Sequence, residues 1–313
     1  MKPIKPFLTY DQQVDHLVKK KGLTISDADA AKDALSRISY YALIGGYKNL
    51  FYNPMTRTYL QGTTFDDILV LYHFDDALRD LVFKNIRIIE QEMRSMISYY
   101  FCETYSNLQT DYLDPGHYIN TKNSRSDIQK LINVLTYEAY RDIDHPYIVY
   151  QRNTYGNVPL WAVMKTLTLG QTSKMYSLLY PQVKSKISKN FVNVNESDLI
   201  KFLKVLTHFR NVCAHNERLF SYVDRNEIPD TVLHKKLKIQ QKGTHYICGK
   251  SDLFSVVIAL RYLLPRKSFL VFKKALVQEI GRTVKNASTL TEDKLLSAMG
   301  FPENWRDITR YKM

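Results

Sequence analysis

From Thr64 to Tyr100 apolar residues recur at helical spacing with little interruption. Ile68, Leu71, Tyr72, Leu78, Val82, Ile86, Ile89, Met93, Ile97 and Tyr100 follow one another in steps that keep one face of a helix apolar. Thr64-Phe65-Asp66-Asp67 supplies the start signal, a hydroxyl followed by acidic residues in the first turn. The stretch reads as one long helix, or as two joined with little break. Helical patterns recur along the rest of the chain, so an all-α fold is expected, divided into an N-terminal helical region (1–63), a helical core (64–222) and a basic loop with C-terminal helices (223–313).

A second helical stretch, Leu199 to Leu219, carries the chemistry. It is read as one helix at about 100° per residue, with Arg210 at zero. Leu219, Val212, Val205, Phe209, Phe202, Cys213 and Leu206 then fill a core arc. Arg210, Thr207, Arg218, Asn211, His215 and His208 fill the opposite arc, with Glu217 beside Arg210. Asn211 and His215 are four apart and stack on one face. Ala214 leaves a gap where a ligand could approach. A permanently charged Arg, a His that titrates near neutrality and an orienting amide suit metal-free cleavage of RNA. The His moves a proton, and the Arg stabilises charge as the 2′-hydroxyl attacks phosphorus. The plainer reading of the same residues is a solvated polar face.

Arg210 to His215 fits the R-x4-H pattern of the HEPN superfamily. The longer run Arg210-Asn211-Val212-Cys213-Ala214-His215-Asn216-Glu217-Arg218-Leu219 resembles the RN-x-CAHH-x-RL signature of Abi-type abortive-infection phage-resistance proteins, the AbiD/AbiF family. Asn216 stands where that family has a second His. The opening segments match as well: Lys5-Pro6-Phe7-Leu8-Thr9, Lys21-Gly22-Leu23, and Ile38-Ser39-Tyr40-Tyr41 with Gly46-Tyr47. Leu71 to Arg79 and Ile89 to Ser95 resemble the family's "LYxFDxxLR" and "IExxxRS" segments. Pro159 to Met164 opens a further similar stretch, in which Lys165 replaces an acidic residue. The resemblance covers roughly residues 5–222.

The resemblance implies a HEPN-like fold and a metal-independent endoribonuclease toxin of phage defence, with Arg210, Asn211 and His215 as its catalytic group and Arg218 as a supporting residue. It also implies a composite site in a homodimer, because each chain carries one motif. His215 would act as general base or acid, Arg210 would stabilise the phosphorane, and Asn211 would hold His215 or the phosphate. The products would be a 2′,3′-cyclic phosphate and a 5′-hydroxyl. Two alternatives share the residues: a HEPN module that binds RNA without cutting it, and a toxin silenced by a structured non-coding RNA. Relatives are linked to such RNAs and to type VI CRISPR nucleases. Glu90 and Arg94 form an (i, i+4) pair in the favourable order. It is either an exposed pair worth a few tenths of a kcal/mol or part of the cleft that holds His215.

Charge agrees with an RNA partner. Forty-four Lys and Arg oppose 31 Asp and Glu, a formal net charge of +13, which favours a polyanion. Lysines 184, 186, 189, 201 and 204 make the approach to the motif basic. Lys235, Lys236, Lys238 and Lys242 form a second group after it, and Arg266, Lys267, Lys273 and Lys274 a third. Lys235, Lys236 and Lys238 are the expected RNA contacts. Only Cys102, Cys213 and Cys248 occur, widely spaced, which fits a reducing cytoplasm rather than a disulfide framework. The N-terminus has no apolar signal core, and the most apolar helix candidate, Leu253 to Leu264, is too short to span a bilayer. No membrane partner is expected.

No P-loop, GxGxxG, HExxH or paired CxxC occurs, so neither a cofactor nor a metal is expected. His208, Cys213 and His215 share a helix, but Cys213 falls on the apolar arc away from both histidines. Further helices are expected from Thr9 to Gly22, from Ser26 to the breaker Gly45-Gly46, over Asp127 to Tyr140, from Pro159 to Gly170, from Thr172, and near Leu290 to Met299. Residues 47–63, 106–126 and 142–158 read as loops or extended excursions. Trp305 is expected to pack back on the body.

Overall fold

A computed structural model describes residues 6–311 of the chain. The start of the Lys5–Thr9 segment lies outside the described residues. The fold is all-α. The apolar stretch after Thr64 is a single uninterrupted helix of 40 residues, Phe65–Thr104, roughly 60 Å long at 1.5 Å per residue. It has neither Gly nor Pro inside it, so nothing in the backbone favours a break. A capping box closes its start: Thr64 accepts from the Asp67 amide, and Asp67 accepts from the Thr64 amide. Ile86, Ile89, Met93 and Ile97 along this rod are fully buried.

The other elements lean on the rod. The motif helix, Glu196–Ala214, packs across it, as do Tyr40–Tyr47, Leu169–Leu178, Pro181–Ser188 and the long C-terminal helix Arg266–Asn286. One hydrophobic cluster runs through all three expected segments, joining Leu17, Ile89, Phe209 and Leu276. Asp67 fastens the C-terminal region to the start of the rod by accepting from the Ser288 amide and the Thr289 hydroxyl. Trp305 is fully buried. Strand is limited to two short hairpins among the described residues, Tyr52–Asn53 with Thr58–Tyr59 and Gln241–Lys242 with His245–Tyr246.

Several boundaries differ from the sequence reading. The helix that opens at Asp27 stops at Ser39, not at Gly45-Gly46. Ser39 sits at φ 73° and caps a second helix, Tyr40–Tyr47, its hydroxyl accepting from the Ala42 amide. Gly45 and Gly46 lie inside that helix. Residues 142–158 are not a loop: Pro146–Tyr155 is helical. Pro146 at its first position and Gly156 just past its end, at φ 63°, are the ordinary start and stop signals. The helix from Pro159 is a single turn, Leu160–Val163, and the next begins at Thr168, whose capping box with Gln171 places Gly170 within the first turn.

Candidate active site at the end of the motif helix

The motif helix ends one residue before its histidine. Ala214 is the last helical residue, His215 caps it, and Asn216 turns into the left-handed region at φ 53°. The Asn216 amide donates to Cys213 O at 3.3 Å and the Glu217 amide to Val212 O at 3.0 Å. This pair of backward bonds is a Schellman turn, and a short amide side chain is among the few that enter this conformation at low cost. Leu199 to Leu219 is therefore not one helix. Glu217 does not stack beside Arg210, and Arg218 leaves the polar arc. Instead the Arg218 guanidinium donates to Gly46 O and ties the turn to the helix Tyr40–Tyr47.

A buried carboxylate holds the chain after the turn. Asp75, on the long helix, accepts from the backbone amides of Leu219 at 3.0 Å and Phe220 at 2.6 Å. It also accepts from the Tyr47 hydroxyl at 2.8 Å and the Arg79 guanidinium at 2.9 Å. The same Arg79 nitrogen lies 3.4 Å from Glu217 O. Burial pushes the Asp75 carboxyl above the ordinary carboxylate range, against the pull of these four donors. Tyr47, Asp75 and Arg79 thus fix where the motif helix ends relative to the rod. Sequence reasoning did not assign them a role, although Asp75 stands out as a charged residue among Leu71, Leu78 and Val82 on a core face.

His208, Asn211 and His215 stand three and four apart and face one way. Together with Glu217, Tyr222 and Arg225 they line a cleft of about 390 Å³. Asn211 and His215 are exposed, and no hydrogen bond joins their side chains. His208 is held from behind: its Nδ1 lies 2.8 and 2.9 Å from the two carboxylate oxygens of Asp224, whose side chain is fully buried. Tyr222 packs edge-on against Phe209, with ring centres 5.0 Å apart. Burial, with Asp224 and Glu217 nearby, raises its hydroxyl above the ordinary phenol value and keeps it protonated.

Arg210 does not line this cleft. Its guanidinium lies over the Phe83 ring, 5.5 Å from the ring centre. Its Nε is buried and, among the described residues, has no hydrogen-bond partner. Glu90 and Arg94 are also outside the cleft. They are not an exposed pair either: Glu90 is buried, and Arg94 bonds it at 2.6 Å while also donating to Leu167 O. The pair pins the segment before the helix Leu169–Leu178. Cys213 is buried on the core side, and burial pushes its thiol up to about 12, which removes it as a nucleophile at neutral pH.

Lys235, Lys236 and Lys238 are exposed, the first two on the short helix Val232–Lys236. Lys238 lines a groove of about 880 Å³ that shares Val223 with the His215 cleft. Asp252, Asp293 and Glu303 line the same groove, so it is mixed in charge. Of the third basic group, Lys273 is not free, since it donates to Arg306 O and to the Thr309 hydroxyl. Lys201 and Lys204 are exposed on the motif helix, on the same side as His208. Among the described residues no helix is long and apolar enough to cross a membrane.

Away from the cleft, Glu138, Asp142 and His145 bring ligand-type atoms within 4.8 Å of one another. Hydrogen bonds account for that gathering. Asp142 accepts from the Asp144 and His145 amides and meets His145 Nδ1 at 2.7 Å, at the start of the helix Pro146–Tyr155.

The family model described as Abi-like protein matches residues 33–221, more than half of the chain. The chain belongs to the Abi-like protein family, and this membership supports a role in phage resistance. It matches no curated protein and no solved structure. The matched region takes in Tyr47, Asp75, Arg79, the motif helix and the Schellman turn, and ends just after Phe220.

Proposed function

We propose that the protein is a metal-independent endoribonuclease of the HEPN type that acts in abortive phage defence. The observation that carries this reading is the cleft at the end of the motif helix. There an exposed imidazole and an exposed amide stand on one stripe of the motif helix, open to a ligand. His215 moves a proton, Asn211 holds a phosphate oxygen, and Arg210 stabilises the charge that builds on phosphorus. The 2′-oxygen attacks phosphorus, the bond to the 5′-oxygen breaks, and a 2′,3′-cyclic phosphate and a 5′-hydroxyl result.

Arg210 turns toward Phe83 and away from the cleft that holds His215. A second copy of the chain would supply the arginine that the first withholds, and a two-fold homodimer would form two such sites. An Arg210→Ala chain mixed with a His215→Ala chain is expected to recover part of the cleavage that each lacks alone, because one of the two sites in the mixed dimer is intact. No recovery, or full cleavage by a strict monomer, excludes the composite site.

RNA binding is expected to depend on phosphate contacts through Lys235, Lys236 and Lys238. Affinity should fall steeply with salt, since each phosphate neutralised on a single strand adds about 0.7 to the log–log slope. Replacing the three lysines together should flatten that slope by about 2 and leave the preferred sequence unchanged. A titration by fluorescence anisotropy at several salt concentrations measures both. An unchanged slope would remove these lysines from the interface.

A further inference from the structure

We infer that His208, held by Asp224, is a second proton-transfer residue of the His215 cleft, so that one chain carries both imidazoles the cleavage of RNA requires. The inference rests on the proposed ribonuclease reading and goes beyond it, because the motif contains only one histidine.

In-line cleavage needs two proton transfers, one from the attacking 2′-hydroxyl and one to the departing 5′-oxygen. His208 and His215 are seven residues apart, two helical turns, which places their Cα atoms about 10 Å apart on the same side of the axis. Both side chains line the same cleft, with Asn211 between them. The cleft's volume of about 390 Å³ is enough for a phosphodiester group between them.

The Asp224 pair defines what His208 can do. The Asp224 side chain is fully buried. Its Oδ1 also accepts from the Asn226 backbone amide and from the Asn226 side-chain amide, each at 3.1 Å, and that amide nitrogen lies 3.3 Å from His208 Nδ1. A carboxylate offers only acceptors, so the 2.8 and 2.9 Å contacts place the imidazole proton on Nδ1. The imidazole then presents Nε2 with a free lone pair, and Asp224 stabilises the imidazolium once that nitrogen takes a proton. The His208 side chain is 26% exposed and lines the cleft, with Nδ1 turned to the buried Asp224 carboxylate. His208 therefore takes the proton of the 2′-hydroxyl, the 2′-oxygen bonds to phosphorus, and the bond to the 5′-oxygen breaks. His215 gives that oxygen its proton. Asp224 touches no reacting atom and is a positioning residue. Lys201 and Lys204, on the same side of the helix and next to His208, suit the neighbouring phosphates.

Two measurements on the full chain test this. In the first, imidazole nitrogens are followed by long-range proton–nitrogen NMR while a 2′-O-methyl RNA hexanucleotide, which cannot be cleaved, is added. His208 should show its proton on Nδ1 in the free protein, and Nε2 of both His208 and His215 should shift on binding. A shift at His215 alone overturns the role of His208 and leaves RNA in the cleft. A shift at neither overturns this inference and the ribonuclease reading together. In the second, His208→Ala and His215→Ala are compared on an RNA dinucleotide and on uridine 3′-(4-nitrophenyl phosphate), whose leaving group needs no proton. His208→Ala should lose about 10²–10⁴-fold on both substrates. His215→Ala should lose as much on RNA and less than tenfold on the nitrophenyl ester. Asp224→Asn, nearly isosteric, should slow both reactions and weaken the preference for the Nδ1–H tautomer, and it serves where His208→Ala folds poorly. Rates within threefold of wild type for both His208→Ala and Asp224→Asn would overturn the proposal.

Discussion

His215→Ala is expected to lower RNA cleavage by about 10²–10⁴-fold and to abolish toxicity in cells, with no change in fold. The site explains why the loss should be functional. The His215 side chain is exposed and makes no hydrogen bond among the described residues. The end of the motif helix is closed by backbone bonds from Asn216 and Glu217, which the substitution leaves in place. Removing the imidazole therefore costs little stability and takes away a group to which the proposed mechanism assigns a proton transfer. The measurement is a cleavage time course beside a thermal unfolding curve. Wild-type cleavage and toxicity in a folded His215→Ala protein would remove His215 from the chemistry.

Asp75→Ala is expected to destabilise the protein by about 2–4 kcal/mol, because the buried amides of Leu219 and Phe220 lose their acceptor, at about 1–3 kcal/mol for each group left unsatisfied. Arg79 loses its buried partner but keeps its ion pair with Asp76 at 2.8 Å. Denaturant unfolding of the variant measures the loss directly. The effect should also reach the site, because the chain that leaves His215 is fixed to the long helix at this point. Under conditions where the variant is still folded, cleavage should fall further than the folded fraction alone accounts for. A loss below 1 kcal/mol would mean that the Asp75 cluster does not set the geometry of the turn.

The sequence made the all-α fold and the long helix legible because both depend on periodicity. Ile68 to Tyr100 repeats at one spacing without Gly or Pro, and the structure keeps it as one helix. The core arc of the motif helix was equally readable, down to buried Cys213. Its end was not. Leu219 lies on the extrapolated apolar arc, so the apolar pattern runs on past the Schellman turn at Asn216, although a lone Asn in such a position is a recognised stop. Ser39 hid a break in the same way, since a serine at positive φ leaves no mark on hydrophobic spacing. Pro146 and Gly156 did mark a helix in a segment whose tyrosines and asparagines suggested a loop.

Within the site, Asn211 and His215 came together as their spacing of four requires. Arg210 did not join them, because the angle around the helix that separates them sends its side chain toward Phe83. Glu90 and Arg94 were legible as a pair but not as a buried one, because nothing local announces the Leu167 carbonyl that Arg94 holds. The pairing of His208 with Asp224 has no local signature. The two are 16 residues apart, across a turn and a return segment. Contacts of that kind follow from the route of the chain, which no periodicity records.

The central claim is that this cleft cuts RNA by 2′-hydroxyl attack without a metal. Its most direct test is to incubate the purified protein with a defined RNA in excess EDTA and map both new ends. The expected result is unimpaired cleavage that leaves a 2′,3′-cyclic phosphate and a 5′-hydroxyl, and its disappearance in His215→Ala. Cleavage that stops on chelation, or that leaves a 5′-phosphate, would contradict the mechanism.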